Sequence, residues 1–389
     1  MEVLSSTHYQ LRTTDNGLFM KVGIAGFAGS GKTTVFQWLT GVKPDPSAAQ
    51  RGQVGIAKIP DDRLTWLSEH FKPKKTTPAT IEFLDTPGLL ATERRDNPRR
   101  LSIMREAGGL VVVLTGYTKT DLADELRRFR EEMLLADLEI VTNRIERLRD
   151  QLKKPKPGKE READQEELAL LERIAQALEQ SSGGSYPPLA GILKGQEEKL
   201  VRSFQLLTLK PEFVLVNIGD DRIGEPLPQD LVRASGLGRS SKFEAGSSMT
   251  ADNRQLTTAL SIPVKLELEL QDLAEEDRQA FMKDLGLTGL SRDAALRTIY
   301  SAMGRIVFFT VGEDECRAWM LDAGATSVDG AGQIHTDLAK GFVRAEIVTY
   351  DDFVRVGSMK EAKTKGVYRL EGKTYVVKDG DIMHILAST

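Results

Sequence analysis

The sequence predicts an α/β protein: a mostly parallel sheet flanked by helices, interrupted by a long antiparallel helical hairpin and followed by a small α+β unit. Three observations predict it. From Lys21 short apolar runs alternate with helix-like stretches, the pattern of a parallel sheet with helices on its faces. Between Leu122 and Leu178 that pattern gives way to apolar seams stepping by threes and fours. From Arg305 short β-rich runs return, separated by turns such as Asp322-Ala323-Gly324 and Lys378-Asp379-Gly380-Asp381.

Composition narrows the function classes. A chain of 389 residues, 40% hydrophobic, is long enough for two or three packed domains. Its formal net charge of −4 supplies no global basic field, so DNA is not expected and any RNA contact needs a local patch. The single cysteine, Cys316, excludes an internal disulfide framework and suits a reducing cytosol. The longest strand-like run, Leu110-Val111-Val112-Val113-Leu114, is far short of a membrane span, and no apolar signal core follows Met1-Glu2. A cytoplasmic protein without membrane contact is the expectation, with residues 1–19 as a loose polar leader.

The first strand and the loop after it carry the chemistry. Val22 to Ala25 is apolar, Gly26-Phe27-Ala28-Gly29-Ser30-Gly31-Lys32-Thr33 matches G-x-x-x-x-G-K-[ST] throughout, Thr34 completes the candidate nucleotide-binding stretch, and Val35 to Leu39 reads as a helix. Phosphate needs this arrangement because glycines let successive N–H groups turn inward while the new helix aims its positive end at the anion. Lys32 would neutralise the β- and γ-phosphates, and the Thr33 hydroxyl would ligate Mg2+. By chance the bare pattern occurs in about one chain of this length in a hundred, so the strand-loop-helix context decides for a nucleotide site.

The loop from Gly41 to Gln53 is polar and expected to be mobile. Val54 to Ile59 reads as a strand, and Asp61 as the cap of a helix reaching His70. A further strand ends in Asp85-Thr86-Pro87-Gly88: the carboxylate would face the magnesium, and Gly88 would sense the γ-phosphate through its N–H. Lys32, Asp85 and Gly88 are therefore the catalytic candidates, with Thr33 and Asp85 holding the metal. Downstream, Glu212 to Ile218 is a strand that leads into Asn217-x-x-Asp220. An Asp can pair with guanine N1–H and the 2-amino group while Asn ties loops together; an ordinary strand-end turn explains the same residues.

The first seam is Leu134, Leu138, Val141, Ile145, Leu148 and Leu152, preceded in shifted phase by Leu122, Leu126, Phe129 and Met133; the second is Leu168, Leu171, Ala175 and Leu178. The Pro-containing link from Lys153 to Lys159 must break the helix. An antiparallel coiled-coil hairpin follows, its first arm roughly 45 Å long. Its turn holds Lys153, Lys154, Lys156, Lys159 and Arg161 against Glu160 alone, a projecting basic tip. A helix over Gln196 to Thr208 leads back to the sheet. Ala259 to Lys265 reads as the last strand, followed by a helix from Glu275 to Leu285, and residues 221–257 give no clear element.

Several stretches without general nucleotide logic resemble the YchF-type Obg-like ATPases, over nearly the whole chain from Lys21. They are Lys72 to Phe83, Glu131 to Glu139, Gln205 to Pro211, Gly324-Ala325-Thr326, Ile334 to Asp337, Lys340 to Ala345 and Asp379 to Met383. The resemblance implies a P-loop GTPase-like core, a coiled-coil insert, a C-terminal β-grasp (TGS) domain, ATP hydrolysis and association with ribosomes. It also makes His335 and His384 fold residues. The implied division is a nucleotide-binding unit over 20–117 and 205–303, an insert over 118–204 and a TGS-like unit over 304–389. Departures from the pattern are specific. Gly29 stands where the family has Asn, which in related GTPases holds a potassium ion; Ala49 stands at the switch threonine, and Asp220 replaces Glu. Pro263 to Glu267 matches the adjoining loop only loosely, and Leu89 follows Gly88 where Ras-like proteins carry a water-orienting Gln.

The expected function is ATP, or GTP, binding with slow hydrolysis, used as a switch toward ribosome or RNA. The alternative is a nucleotide-binding scaffold with little hydrolysis. A small-molecule kinase would want an Arg-rich lid, which the hairpin and the C-terminal unit do not supply.

Overall fold

The computed structural model describes residues 20–92, 94–181, 193, 197–234, 259–285, 287 and 289–388. The expected leader over 1–19 lies outside them, as do 235–258 and Gln196, the expected first residue of the returning helix.

Two six-stranded sheets organise the chain. The first contains β1 (Lys21–Ala25), β2 (Gln53–Lys58), β4 (Thr80–Asp85), β5 (Gly109–Gly116), β6 (Glu212–Ile218) and β7 (Ala259–Ile262) in the order β2-β4-β1-β5-β6-β7. Every pairing is parallel except the edge pair β2–β4. Residues 110–114 of β5 are buried on both faces, which is why that strand reads as an unbroken apolar run. Helices α1 (Lys32–Thr40), α2 (Asp62–Phe71) and α3 (Asn97–Arg105) connect the strands. The Asp61 carboxylate accepts from Arg63 N at 2.9 Å, the cap expected for α2. After β7 the chain turns helical at once: Val264 and Lys265 open the helix Val264–Gln271 instead of extending the strand. Pro263, which donates no ladder hydrogen bond, separates the two. The returning helix is also shorter than expected, Glu197–Arg202, followed by a 3-10 turn over Leu207–Leu209. Gln205 between them takes φ 48°, which no helix continues through.

Helices α4 (Leu122–Leu152) and α5 (Gly158–Gln180) form the hairpin. The phase shift along α4 has a structural cause. Leu122, Leu126, Phe129 and Met133 pack on the sheet beside Val112 and Val214, whereas Val141, Ile145 and Leu148 pack on Leu171, Ile174 and Leu178 of α5. One helix thus serves two cores in turn. Leu152 is only half-buried, and Leu170 and Ile174, absent from the expected seam, belong to it.

The second sheet has the order β11-β10-β12-β8-β9-β3, from β8 (Arg305–Thr310), β9 (Glu315–Asp322), β10 (Phe342–Thr349), β11 (Arg369–Glu371) and β12 (Asp381–Ala387). Its last strand, β3 (Lys75–Thr77), comes from the first unit and pairs parallel with β9. A single apolar cluster runs from Phe36, Trp38 and Leu67 through Phe309, Cys316 and Phe353. The C-terminal unit therefore does not stand apart, as its β-rich turn pattern suggests, but shares its core with the first. Arg63 fastens them further, donating to Asp61 at 2.8 Å and to Asp379 at 2.7 Å and lying 5.2 Å over the Phe309 ring. His335 Nδ1 accepts from Asp337 N, and His384 pairs with Glu346 at 2.8 Å. Among the described residues no helix is long and apolar enough to cross a membrane.

Candidate nucleotide-binding site

The loop between β1 and α1 has the backbone its glycines imply. Gly26, Gly29 and Gly31 take φ of 142°, 86° and 90°. A Cβ at Gly26 would lie 2.5 Å from Val113 O, and one at Gly31 would lie 2.2 Å from Asn217 Nδ2, so both positions exclude any side chain. Gly29 is different, since nothing lies within 4 Å of its Cβ direction. Phe27 seats its ring edge-on to Phe129, 6.0 Å between centroids, and Ser30 is fully buried with Oγ lacking a partner. Thr34 continues α1.

Lys32 is only 6% exposed, and its Nζ donates to Phe27 O at 2.6 Å. Burial pulls its pKa down to about 8, against the opposing fields of Asp85 and Glu125 and with help from Arg100. Thr33 Oγ1 donates to Asp85 Oδ2 at 2.8 Å, while Asp85 Oδ1 is buried without a partner. Burial pushes the Asp85 carboxyl up, and the Thr33 bond and Lys32 hold it down. A hydroxyl beside a carboxylate with one oxygen unsatisfied is an oxygen-donor set that fits a hard dication.

Gly88 closes the loop from above. A Cβ on it would lie 2.6 Å from Lys32 Nζ and 2.8 Å from Ala28 N. Ala28 N donates to Leu89 O at 2.8 Å, and Leu89 N to Gly26 O at 3.0 Å. The Leu89 side chain is fully buried and turned away from any water. Ala28, Gly29, Lys32, Thr33, Asp85 and Gly88 border a cavity of about 290 Å³ whose other wall is Pro44, Asp45, Pro46, Ala48, Ala49 and Gln53. That wall is the loop expected to be mobile. It is tied down: Gln53 accepts from Asp45 N at 2.8 Å and donates to Lys43 O at 2.9 Å, and Asp45 caps the 3-10 turn Pro46–Ala48. Ala49 stands in the wall without a hydroxyl.

Asn217 is buried, and its Nδ2 donates to Ser30 O at 3.2 Å, so it ties β6 to the phosphate loop. Asp220 is brought near but not in: it is exposed at the start of a 3-10 turn and does not border the cavity. Three residues at this site carry no motif. Tyr117 lies over the loop with its hydroxyl on Gly29 O. Glu125, buried, accepts from Thr115 N and Oγ1. Arg100 donates to Gly88 O at 2.5 Å. The only sequence signal for Tyr117 is its position just after a buried strand; for the other two there is none.

Comparison with known proteins agrees with this geometry. Residues 21–144 match a family described as "50S ribosome-binding GTPase", and residues 306–388 match the YchF GTPase C-terminal family, itself described as of unknown function. A protein of Bacillus subtilis named "Ribosome-binding ATPase YchF" is 31% identical over 382 residues, spanning 94% of this chain and 98% of its own. The chain belongs to the YchF family. Its namesake in Escherichia coli O157:H7 is likewise 31% identical over 382 residues, with the same coverage of both chains. The solved YchF GTPase of Schizosaccharomyces pombe superposes with a TM-score of 0.74 at 26% identity, over 95% of this chain and 98% of that one. In this YchF-family chain the hairpin lies between β5 and β6 along the sequence.

Proposed function

We propose that the protein binds a nucleoside triphosphate across Gly26–Thr34, Asp85 and Gly88, hydrolyses it slowly, and uses nucleotide state to govern association with the ribosome. The observation that carries this is Lys32: a buried ammonium with no carboxylate hydrogen-bonded to it among the described residues, beside glycines at 26, 31 and 88 where a Cβ would collide. The relatives named ribosome-binding ATPases support the partner and the nucleotide. Thr33 and Asp85 would hold magnesium, which supplies charge neutralisation at the β- and γ-phosphate oxygens.

The chain's own groups do the rest. Lys32 exchanges Phe27 O for phosphate oxygens, and Ala28 N must leave Leu89 O to face the ligand, so binding displaces Gly88 and Leu89 from their present seats. Hydrolysis is slow because Leu89 is buried and Ala49 has no hydroxyl; each absent electrostatic group of this kind can cost about a hundredfold. The same two residues favour a second reading, a nucleotide-binding scaffold with little turnover. ATP is favoured by the relatives' names, and exposed Asp220 leaves GTP open. We assign partner contact to the basic hairpin tip and to the TGS-like C-terminal unit, in the cytoplasm.

Single-turnover hydrolysis of ATP and of GTP, with and without ribosomes, tests the function. We expect a slow ribosome-responsive rate, and Lys32→Ala folded but unable to bind triphosphate. Unchanged calorimetric affinity in that variant would sink the assignment; binding without turnover in the parent would leave the scaffold.

A further inference from the structure

Arg100 is the one cation among the three groups that no motif accounts for, and it lies behind Gly88 rather than on the cavity lining. It lies on α3, half-buried, and its one described hydrogen bond is from Nη1 to Gly88 O at 2.5 Å. The same glycine lies close to Lys32: a Cβ built on it would stand 2.6 Å from Nζ. Two cations therefore approach one residue, with nitrogens within roughly 8 Å of each other by the dimensions of a peptide unit. No carboxylate among the described residues forms an ion pair with Arg100, whereas Arg105 on the next turn is paired with Asp137 at 2.6 Å. Arg100 and Lys32 repel, and that field adds to burial in depressing the Lys32 pKa. Two part-desolvated like charges cost the protein stability unless an anion lies between them. Gly88, the residue whose N–H is expected to meet the γ-phosphate, marks where that anion would sit.

We propose that Arg100 is a second phosphate-binding cation supplied in cis, its guanidinium contacting γ-phosphate oxygens of a triphosphate seated on the Gly26–Thr33 loop. The proposal rests on the triphosphate reading above. A guanidinium suits the task because its planar fork meets two phosphate oxygens at once and it stays charged. The shift of Gly88 that binding requires frees the guanidinium from the carbonyl it now holds. A diphosphate lacks the contacted group, so Arg100 distinguishes the nucleotide before hydrolysis from the product after it. This supplies charge at the transferring group in a chain where Gly29, Ala49 and Leu89 supply none.

The test separates charge from scaffolding. Arg100→Gln keeps a donor for Gly88 O and removes the charge; Arg100→Lys keeps the charge. Dissociation constants are measured by calorimetry for the non-hydrolysable β,γ-methylene analogues of ATP and GTP and for ADP and GDP. We expect Arg100→Gln to lose about tenfold or more for the triphosphate analogue with diphosphate affinity unchanged, and Arg100→Lys to retain most of the difference. The single-turnover rate should fall about a hundredfold with Gln. In the unmodified protein, phenylglyoxal labelling of Arg100 read by mass spectrometry should be blocked by the triphosphate analogue and not by the diphosphate, which tests the contact even if the Gln variant does not fold. Equal losses for di- and triphosphate in both variants would make Arg100 a scaffold for Gly88 and overturn the proposal, as would parental behaviour of Arg100→Gln or equal protection by both nucleotides. A parent that binds no triphosphate, like Lys32→Ala, would overturn the underlying reading and this one with it.

Discussion

The hairpin and the C-terminal unit are joined to the nucleotide-binding sheet in opposite ways. The C-terminal unit borrows β3 for its sheet edge, shares one apolar cluster with the first unit, and is fastened by Arg63 between Asp61 and Asp379. The hairpin has a cluster of its own, and among the described residues the first half of α4 joins it to the sheet through Leu122, Leu126, Phe129, Met133 and the Arg130–Glu212 ion pair at 2.7 Å before the helix passes from one core to the other. At that crossing Asp137, fully buried, accepts from Arg105 at 2.6 Å, Leu207 N at 3.0 Å, Thr208 N at 2.8 Å and Thr208 Oγ1 at 2.7 Å. A shared core transmits strain because close-packed side chains cannot slide independently; a junction of one continuous helix and the Asp137 hydrogen-bond knot leaves more freedom to change angle. If nucleotide state drives motion, it is expected at the hairpin and not at the C-terminal unit. Helix α3 spans the distance, with Arg100 on Gly88 near its middle and Arg105 on Asp137 at its end.

The largest expected effect breaks the shared core. Phe353 is fully buried and stacks on Phe71 at 5.4 Å, one ring from each unit. Phe353→Ala should cost about 3–5 kcal/mol. Calorimetry should show the loss in the same transition that nucleotide stabilises. A separate early transition that nucleotide does not shift would mean the units are independent bodies.

Next is the knot. Asp137→Asn turns an amide N–H2 toward groups that are all donors and leaves Arg105 with Gln205 O but no carboxylate, a loss of about 3 kcal/mol. Hydrogen exchange should speed up over residues 134–152 and 168–178 while β1, β4 and β5 keep parental protection. Uniform acceleration across the sheet would show that the hairpin is as firmly built in as the C-terminal unit.

What is legible in the sequence follows the same division. Local and periodic signals read correctly: the glycine loop, the strand ending at Asp85, the Asp61 cap, the two phases of α4. β3 is not legible because Lys75-Thr76-Thr77 has no apolar alternation and its partner, Glu315–Arg317, lies far along the chain. Arg100 is hidden for a related reason, since on a charged helix a guanidinium's target depends on tertiary placement. Gly29 and Ala49 follow from motif positions, and the structure adds that one faces open space and the other a formed wall.

A smaller effect locates the site within the rigid body. Lys32 titrates near 8 in the folded protein and at its ordinary higher value when unfolded. Between those values the unfolded chain holds the extra proton, so this residue's contribution to stability rises with pH through the window; below pH 8 the burial penalty is present in full. Triphosphate needs the charged form, so above pH 8 binding should take up a proton and weaken by about tenfold per pH unit. Calorimetry in buffers of different ionisation enthalpy measures the uptake. The profile should be the same in Asp137→Asn, because the knot is outside the glycine loop; a shifted profile would tie the hairpin to Lys32 directly.

The least effect on stability and the most specific effect on partners belong to the tip. Its charges are not equal. Lys153 pairs with Asp150 at 2.8 Å, and half-buried Lys156 pairs with Asp164 at 2.5 Å, so flanking acids offset two of the five cations. Lys154, Lys159 and Arg161 are exposed, with no side-chain ion pair described. If the tip meets ribosomal phosphates, these three carry most of the attraction. Replacing them together by Gln should leave stability within about 0.5 kcal/mol, since they are surface residues away from any knot or core. Nucleotide affinity should not change. Ribosome binding should weaken, and the slope of log K against log salt should flatten by about 2, near 0.7 for each phosphate no longer neutralised. The Lys153 and Lys156 pair, replaced the same way, should flatten it less. Co-sedimentation across a salt series decides. If the triple variant binds as the parent does at every salt concentration, the hairpin is not the arm that reaches the partner, and the welded C-terminal unit takes its place at the ribosome.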